Sequence, residues 1–144
     1  MIPRSAPRLI RAAVVAGALS GAPSTVHAVI TGREVLASVR AAGTLLGRPT
    51  VVRGALAHAV LTLLWTVVIA VVAPARRGVG AGAAAGLLIG AADLAIARRR
   101  FPAIAALPTV PQLLDHAAFG ALVAATLGPA PSAVRSAAAA PPCP

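Results

Sequence analysis

The chain has 144 residues, of which 58% are hydrophobic and 11% are charged, and its mean hydropathy is +0.88. A water-soluble domain of this length carries about a quarter charged residues, so the composition argues against that class and indicates a membrane protein. The formal net charge is +10 and every basic residue is arginine. These arginines flank apolar runs, as in membrane proteins, and nucleic-acid binding is therefore not expected. We predict an all-α integral membrane bundle of four transmembrane helices with one interfacial amphipathic helix.

The first predicted helix follows a basic N-terminal lead, residues 1–11. Residues 12–31 are apolar and long enough to span a bilayer. Pro23 lies inside this segment and is expected to kink it, because proline removes a backbone hydrogen bond. The alternative is a signal peptide cleaved after Ala28, although a retained first helix is favoured.

The next segment, residues 33–47, has apolar residues at helical spacing with polar residues mostly on the other side. This pattern predicts an amphipathic helix that lies in the membrane interface. Gly47 and Pro49 are expected to end it.

Three further spans are predicted at residues 54–73, 79–97 and 113–128. The last would be roughly 24 Å long, which is marginal for crossing a bilayer. The proline-containing stretch 101–112 is expected to lie along the interface, and the Ala/Pro tail 129–144 is expected to be disordered. With four spans, the thirteen arginines divide six against seven between the two sides, so the orientation stays open.

Ionisable residues in or beside the predicted spans are expected to meet in one polar layer, because topology places them near the same membrane face. This polar layer comprises His27, Arg53, His58, Asp93, Asp115 and His116. We expect Asp93 to meet His58, His27 or Arg53, with Asp115 and His116 beside them. The layer could bind a proton, an ion or a metal. The alternative, which is favoured, is that its members satisfy one another and fix the helix register.

Glycines recur every four residues in the third predicted span, at Gly78, Gly82, Gly86 and Gly90. Small residues at this spacing let helices pack closely in lipid. We expect this ridge to pack within the chain, against the first helix at Gly17 and Gly21 or against the second helix. Self-association of two copies is the alternative.

Two other features of the sequence concern the spans themselves: an arginine cluster and a tryptophan. The arginines at positions 98–100, Arg98, Arg99 and Arg100, could bind anionic lipid headgroups, or could simply anchor the end of a span. Trp65 lies in the middle of the second span and is expected to pack inside the bundle. No catalytic or metal-ligand spacing is present, so we expect neither an enzyme nor a cofactor or metal site.

Two strings carry a resemblance, the GAPSTVHA string at residues 21–28 and the DHAAFG string at residues 115–120. With shorter strings between them, they resemble a group of small, uncharacterised multi-pass membrane proteins of bacteria. The resemblance implies a bacterial cell membrane and brings no activity or ligand. The expected role is structural or accessory, with the lipid bilayer, another membrane protein or a second copy as partner. A small proton- or ion-coupled transporter is the alternative.

Overall fold

A computed structural model describes residues 6–72 and 78–128 of the chain. Within these ranges the chain forms helices and one short 3-10 turn, with no strand. In chain order they are α1 (Ala6–Leu19), α2 (Ala22–Ile30), α3 (Ala37–Gly43), the 3-10 turn (Thr44–Leu46), α4 (Val51–Val72), α5 (Gly78–Arg100), α6 (Pro102–Ala105) and α7 (Thr109–Leu127).

Four of these segments are long and apolar enough to cross a membrane. The first is Ala6–Ile30, which contains α1 and α2, and the others are α4, α5 and α7. The predicted all-α fold with four membrane spans is therefore confirmed. Because α1 begins by Ala6, six residues of the predicted N-terminal lead belong to the first helix instead. The predicted disordered tail, residues 129–144, lies outside the described residues.

The first span is broken at Ser20 and Gly21, slightly before the predicted kink at Pro23. Proline clashes with the carbonyl group four residues earlier, which here belongs to Leu19, the last residue of α1. The same proline fits the first turn of α2, where a missing N–H costs no helical hydrogen bond. The break therefore precedes the proline, and it leaves two helix ends inside one span.

The other helix boundaries also differ from the predicted ones. α4 begins at Val51, α5 continues to Arg100, and α7 begins at Thr109 instead of residue 113. Pro111 belongs to the first turn of α7, where proline is tolerated, so the prolines after α5 do not exclude helix there. With 19 residues, α7 is about 28 Å long, close to the thickness of a bilayer core.

The predicted interfacial helix is shorter than expected, since α3 and the 3-10 turn together cover residues 37–46. Gly47 ends the turn with φ at 94°, a left-handed conformation that favours glycine, as predicted from the sequence. α3 packs tightly against the start of α4, because a Cβ atom on Gly54 would collide with the carbonyl oxygen of Val39. Its position in the membrane interface stays a prediction.

α7 is the central helix of the bundle: α5 packs along it, α1 packs against it, and α4 packs on α1. α4 and α5 make few contacts with each other. The apolar core lies between these helices and contains Ala16, Ile69, Ile89, Phe119 and Val123. A second apolar group, Ala41, Leu94 and Ile104, joins α3, α5 and α6 at one end of the bundle.

The glycine ridge of α5 packs against α7, and not against the first or second span as predicted. A Cβ atom on Gly82 or Gly86 would collide with the α7 backbone, and one on Gly90 would lie 2.6 Å from His116 Cβ. Gly120 of α7 is the reciprocal small residue, because a Cβ atom there would collide with the carbonyl oxygen of Gly82. This face of α5 is therefore occupied within the chain.

The remaining predicted packing glycines differ in role. Gly17 of α1 does lie at a close contact, since a Cβ atom there would be 3.0 Å from Thr62 Cγ2 of α4. Gly21 and Gly78 have no atom within 4 Å of such a Cβ position. Neither therefore takes part in helix packing, and Gly78 instead has a left-handed backbone, with φ at 79°, at the start of α5.

Candidate functional site: a polar cavity beside the break

A cavity of about 200 Å³ lies among the four spans, near the end of the bundle covered by α3 and α6. A water molecule occupies about 30 Å³, so the cavity has room for several waters or a small organic molecule. Four members of the predicted polar layer line it together: His58, Asp93, Asp115 and His116. Its other polar lining residues are Ser20, Ser38, Thr62 and Gln112, and its aromatic ones are Trp65 and Phe119.

The depth of the site follows from the helix boundaries. His58, Asp93 and His116 each lie seven residues from the nearer end of α4, α5 and α7. At the helical rise this is roughly 10 Å, whereas the shorter predicted helices imply roughly 6 Å for His58 and Asp93 and place His116 at the start of its helix. Because the three helix ends lie at one end of the bundle, the side chains meet at a common level.

Asp115 of α7 binds the broken end of the first span. The backbone N–H of Ser24 donates to Asp115 Oδ1 at 2.9 Å. Ser24 lies in the first turn of α2, where backbone N–H groups have no partner within the helix. The Ser24 hydroxyl is buried beside the same carboxylate but outside hydrogen-bond geometry. Asp115 therefore acts as a cap for α2 supplied by a different helix.

His58 of α4 binds the other side of the break. Its Nε2 atom lies 3.0 Å from the carbonyl oxygen of Gly17, in the last turn of α1. A carbonyl oxygen only accepts, so Nε2 carries the hydrogen and donates it. The last carbonyl groups of a helix lack helical partners, and a break inside a membrane span would leave such groups in a medium without water. His58 therefore satisfies one of them.

Asp93 of α5 pairs with His116 of α7, which was expected beside the cluster but not as the direct partner of Asp93. His116 Nε2 lies 3.9 Å from Asp93 Oδ2, and the two side chains are 27% and 31% exposed. The glycines of α5 explain the pairing: they bring α5 against α7 at His116, whereas His58 lies on α4, which makes few contacts with α5.

The ring of His116 is held from the other side. Its Nδ1 lies 2.8 Å from the carbonyl oxygen of Gln112, so Nδ1 carries a hydrogen. In the neutral ring, Nε2 then faces the Asp93 carboxylate with a lone pair, which is repulsive. The contact becomes attractive when one proton is held between His116 and Asp93 or when another cation lies beside them.

Trp65 is a member of the site that sequence reasoning assigned only to packing. Its indole N–H interacts with the Asp93 carboxylate, but outside hydrogen-bond geometry, so the nitrogen is buried without a hydrogen-bond partner. The sequence contains the information needed to place Trp65 in the site, because Trp65 follows His58 by seven residues and therefore lies on the same face of α4. Gln112, four residues before His116, could have been found by the same argument.

The remaining members of the predicted layer lie elsewhere. His27 lines a separate small hollow beside Arg33 and Glu34. Arg53 donates from Nη1 to the carbonyl oxygen of Leu46 at 2.7 Å, which ties α4 to the 3-10 turn. The expected contacts of Asp93 with His58, His27 or Arg53 do not form. The structure places Asp93 and Asp115 with His58 and His116 only.

The cavity ends partway along the spans. Thr62 and Trp65 line its inner end, whereas the next polar residue of α4, Thr66, is fully buried and donates to the carbonyl oxygen of Thr62 at 2.7 Å. Beyond it lie Ile69 and Val123, which are also fully buried. The cavity therefore stops above a packed apolar layer.

The arginine cluster after α5 is partly engaged in the chain itself. Arg98 donates to Thr109 Oγ1 at 2.7 Å and to the carbonyl oxygen of Leu107 at 2.5 Å, across the connection between α6 and α7. Arg99 and Arg100 are exposed. Lipid-headgroup binding thus stays a prediction for Arg99 and Arg100, while Arg98 holds a loop.

Within residues 6–72 and 78–128, no group of three or more His, Cys, Asp or Glu side chains has an arrangement that could hold a metal ion. Comparisons of the chain with protein-family models, with curated proteins and with solved structures find no match. The site geometry is therefore the basis for any functional proposal.

Proposed function

We propose that the chain is a structural or accessory protein of the bacterial cell membrane, and that it does not itself move a substrate across the bilayer. One observation carries this proposal: the cavity stops at Thr62 and Trp65, above the fully buried Thr66, Ile69 and Val123. A carrier needs polar surface that reaches both sides during its cycle. No catalytic step is part of the proposal.

The bonding of the break supports the same role. His58 and Asp115 bind backbone groups of the first span, so half of the ionisable residues in the cavity already have structural partners. Hydrogen bonds between helices inside a membrane link particular helices to one another, here α4 and α7 to the first span. A rigid bundle of this type suits a protein that packs beside another membrane protein.

The experiment is a flux assay on purified protein in sealed vesicles that contain a pH-sensitive dye. We expect proton and cation fluxes equal to those of protein-free vesicles, under an imposed pH gradient and under an imposed potential. Purification from native membranes in mild detergent should retain a partner at fixed stoichiometry. Protein-dependent flux abolished by Asp93→Asn would contradict the proposal.

A small proton- or ion-coupled transporter is the second candidate, and the Asp93–His116 pair favours it. These two side chains are partly exposed to the cavity, and their contact is attractive only with a proton or another cation present. Such a pair resembles the proton-relay groups found inside membrane spans. The same vesicle assay distinguishes the two candidates, since only this one requires flux.

A further inference from the structure

We propose that the cavity is a binding site for a small organic ammonium ion, held by Asp93 and Asp115 against Trp65 and Phe119. The site does not depend on whether the chain is an accessory protein or a transporter. It would give this bundle a ligand, and it uses Asp93, which the break leaves without a backbone partner, together with Asp115, whose carboxylate accepts one backbone N–H there.

The charge of the cavity is the first observation behind this inference. The chain has three acidic residues against thirteen arginines, yet two of the three, Asp93 and Asp115, face this one cavity. None of the described arginines lines it. The third acidic residue, Glu34, forms an ion pair with Arg40 outside the cavity. Within residues 6–72 and 78–128, the basic side chains that face the two aspartates are the histidines His58 and His116.

Each of the two histidines gives one ring N–H to a backbone carbonyl group and not to a carboxylate. His58 uses its Nε2–H for the Gly17 carbonyl group, and His116 uses its Nδ1–H for the Gln112 carbonyl group. Asp115 accepts one backbone N–H, and Asp93 has the 3.9 Å contact with His116 as its nearest ion pair. A cation in the cavity would therefore face two carboxylates in a setting where charge interactions are weakly screened.

The lining also indicates what kind of cation fits. Only three residues of the chain are aromatic, and two of these, Trp65 and Phe119, line the cavity. Aromatic faces attract ammonium groups, and tryptophan does so best. Apolar atoms make up most of the remaining cavity surface, including those of Leu61, Ile104 and Leu107. An ammonium ion with apolar substituents matches both parts of this lining.

The size and ligand geometry favour an organic ion over a bare metal ion. About 200 Å³ is far more room than a dehydrated metal ion needs. Among the described residues no set of three possible metal-ligand side chains comes together. An ammonium ion needs no fixed coordination number, because its charge is spread over a larger surface.

The chain contains its own reporter for this site. Trp65 is the only tryptophan and the chain has no tyrosine, so the intrinsic fluorescence above 300 nm comes from one cavity residue. Titration of the purified protein in detergent with tetramethylammonium should change the Trp65 emission in a saturable way. Neopentanol, a neutral alcohol of similar size and shape, should bind about tenfold more weakly or not at all. Equal affinity for both probes would overturn the proposal.

Matched variants test the assignment of the carboxylates. Asp93→Asn keeps the side-chain shape and removes one charge, and we expect about tenfold or weaker binding of tetramethylammonium. Asp115→Asn keeps an acceptor for Ser24 and should weaken binding in the same direction. Glu34→Gln, outside the cavity, should bind as the wild type does. Unchanged affinity in both aspartate variants would contradict the site, and the comparison of the two wild-type probes remains decisive if either variant fails to fold.

The ammonium group could belong to a free amine or to a lipid headgroup, and reconstitution separates these sources. In phosphatidylglycerol discs, tetramethylammonium should bind as it does in detergent. Discs that also contain phosphatidylethanolamine should show weaker apparent binding if the lipid headgroup occupies the cavity, and unchanged binding if the ligand is a free amine. Failure of tetramethylammonium to bind in both detergent and phosphatidylglycerol discs would overturn the proposal, whatever the flux assay shows.

Discussion

The two halves of the polar cavity contain the same residue types at a similar depth but have different surroundings. His58 and Asp115 hydrogen-bond to backbone groups on either side of the break between α1 and α2. Asp93 and His116 contact each other across the α5–α7 interface, and Asp93 has no backbone group to satisfy. A histidine and an aspartate inside a membrane span therefore do not by themselves indicate function. The two halves differ in whether their ionisable side chains already hydrogen-bond to backbone groups of the broken first span.

The largest expected effect comes from separating the helices that form the second half. Gly86→Leu places a side chain where the α7 backbone now lies, so we expect loss of about 3 kcal/mol of stability or failure to fold. Gly80→Leu is the matched control, because no atom lies within 4 Å of a Cβ atom there. Thermal unfolding in detergent, followed by circular dichroism, checks both. Equal stability of the two variants would argue against the close α5–α7 contact.

The next effect compares the two aspartates directly. Asp115→Ala leaves the Ser24 N–H of the break without its acceptor, which should cost about 1–3 kcal/mol. Asp93→Ala removes no backbone partner and should cost less than half as much. The measurement is again the unfolding temperature in one detergent. If Asp93→Ala were the more destabilising, the division of the cavity into two halves would be wrong.

A smaller effect is expected at the other side of the break. His58→Phe keeps a ring but cannot donate to the Gly17 carbonyl group, and it should lower stability by about 0.5–1.5 kcal/mol. His27→Phe is the control, since the His27 ring lies outside this cavity. Comparable losses in the two variants would indicate that the His58 hydrogen bond does not stabilise the break.

The smallest effect concerns the loop after α5. Arg98→Gln removes the guanidinium contacts to Thr109 and to the Leu107 carbonyl group, which should loosen the connection to α7 with a loss of about 0.5 kcal/mol. Arg99→Gln alters an exposed side chain and should leave stability unchanged. Amide hydrogen exchange of residues 101–108 should rise only in the Arg98 variant, and a rise in both would contradict the loop assignment.

The four spans could be predicted from the sequence because each is a long apolar run, and hydropathy does not depend on neighbours. The ends of the spans were harder to predict. Prolines such as Pro111 suggest that a helix stops, but proline is tolerated in the first turn of a helix. The same rule explains the break. Pro23 marks the right region, yet its ring excludes helix at the preceding turn, so the chain breaks at Ser20 and Gly21.

The members of the cavity could largely be predicted, but their pairing could not. Depth along a helix follows from sequence position, and this placed His58, Asp93, Asp115 and His116 at one level. Pairing depends on which helices are neighbours. The glycine spacing of α5 predicts close packing without naming the partner helix, and that partner, α7, is what gives Asp93 its contact with His116.

The most direct test of the account is the exchange rate of the Ser24 amide hydrogen, measured by NMR on labelled protein in detergent. We expect slow exchange in the wild type and in Asp93→Ala, and exchange about tenfold faster or more in Asp115→Ala, since only that variant removes the acceptor of this N–H. If the Ser24 amide exchanged equally slowly in both variants, the hydrogen bond from Ser24 N–H to Asp115 would not stabilise the broken span. The proposed difference between the two halves of the cavity would then be wrong.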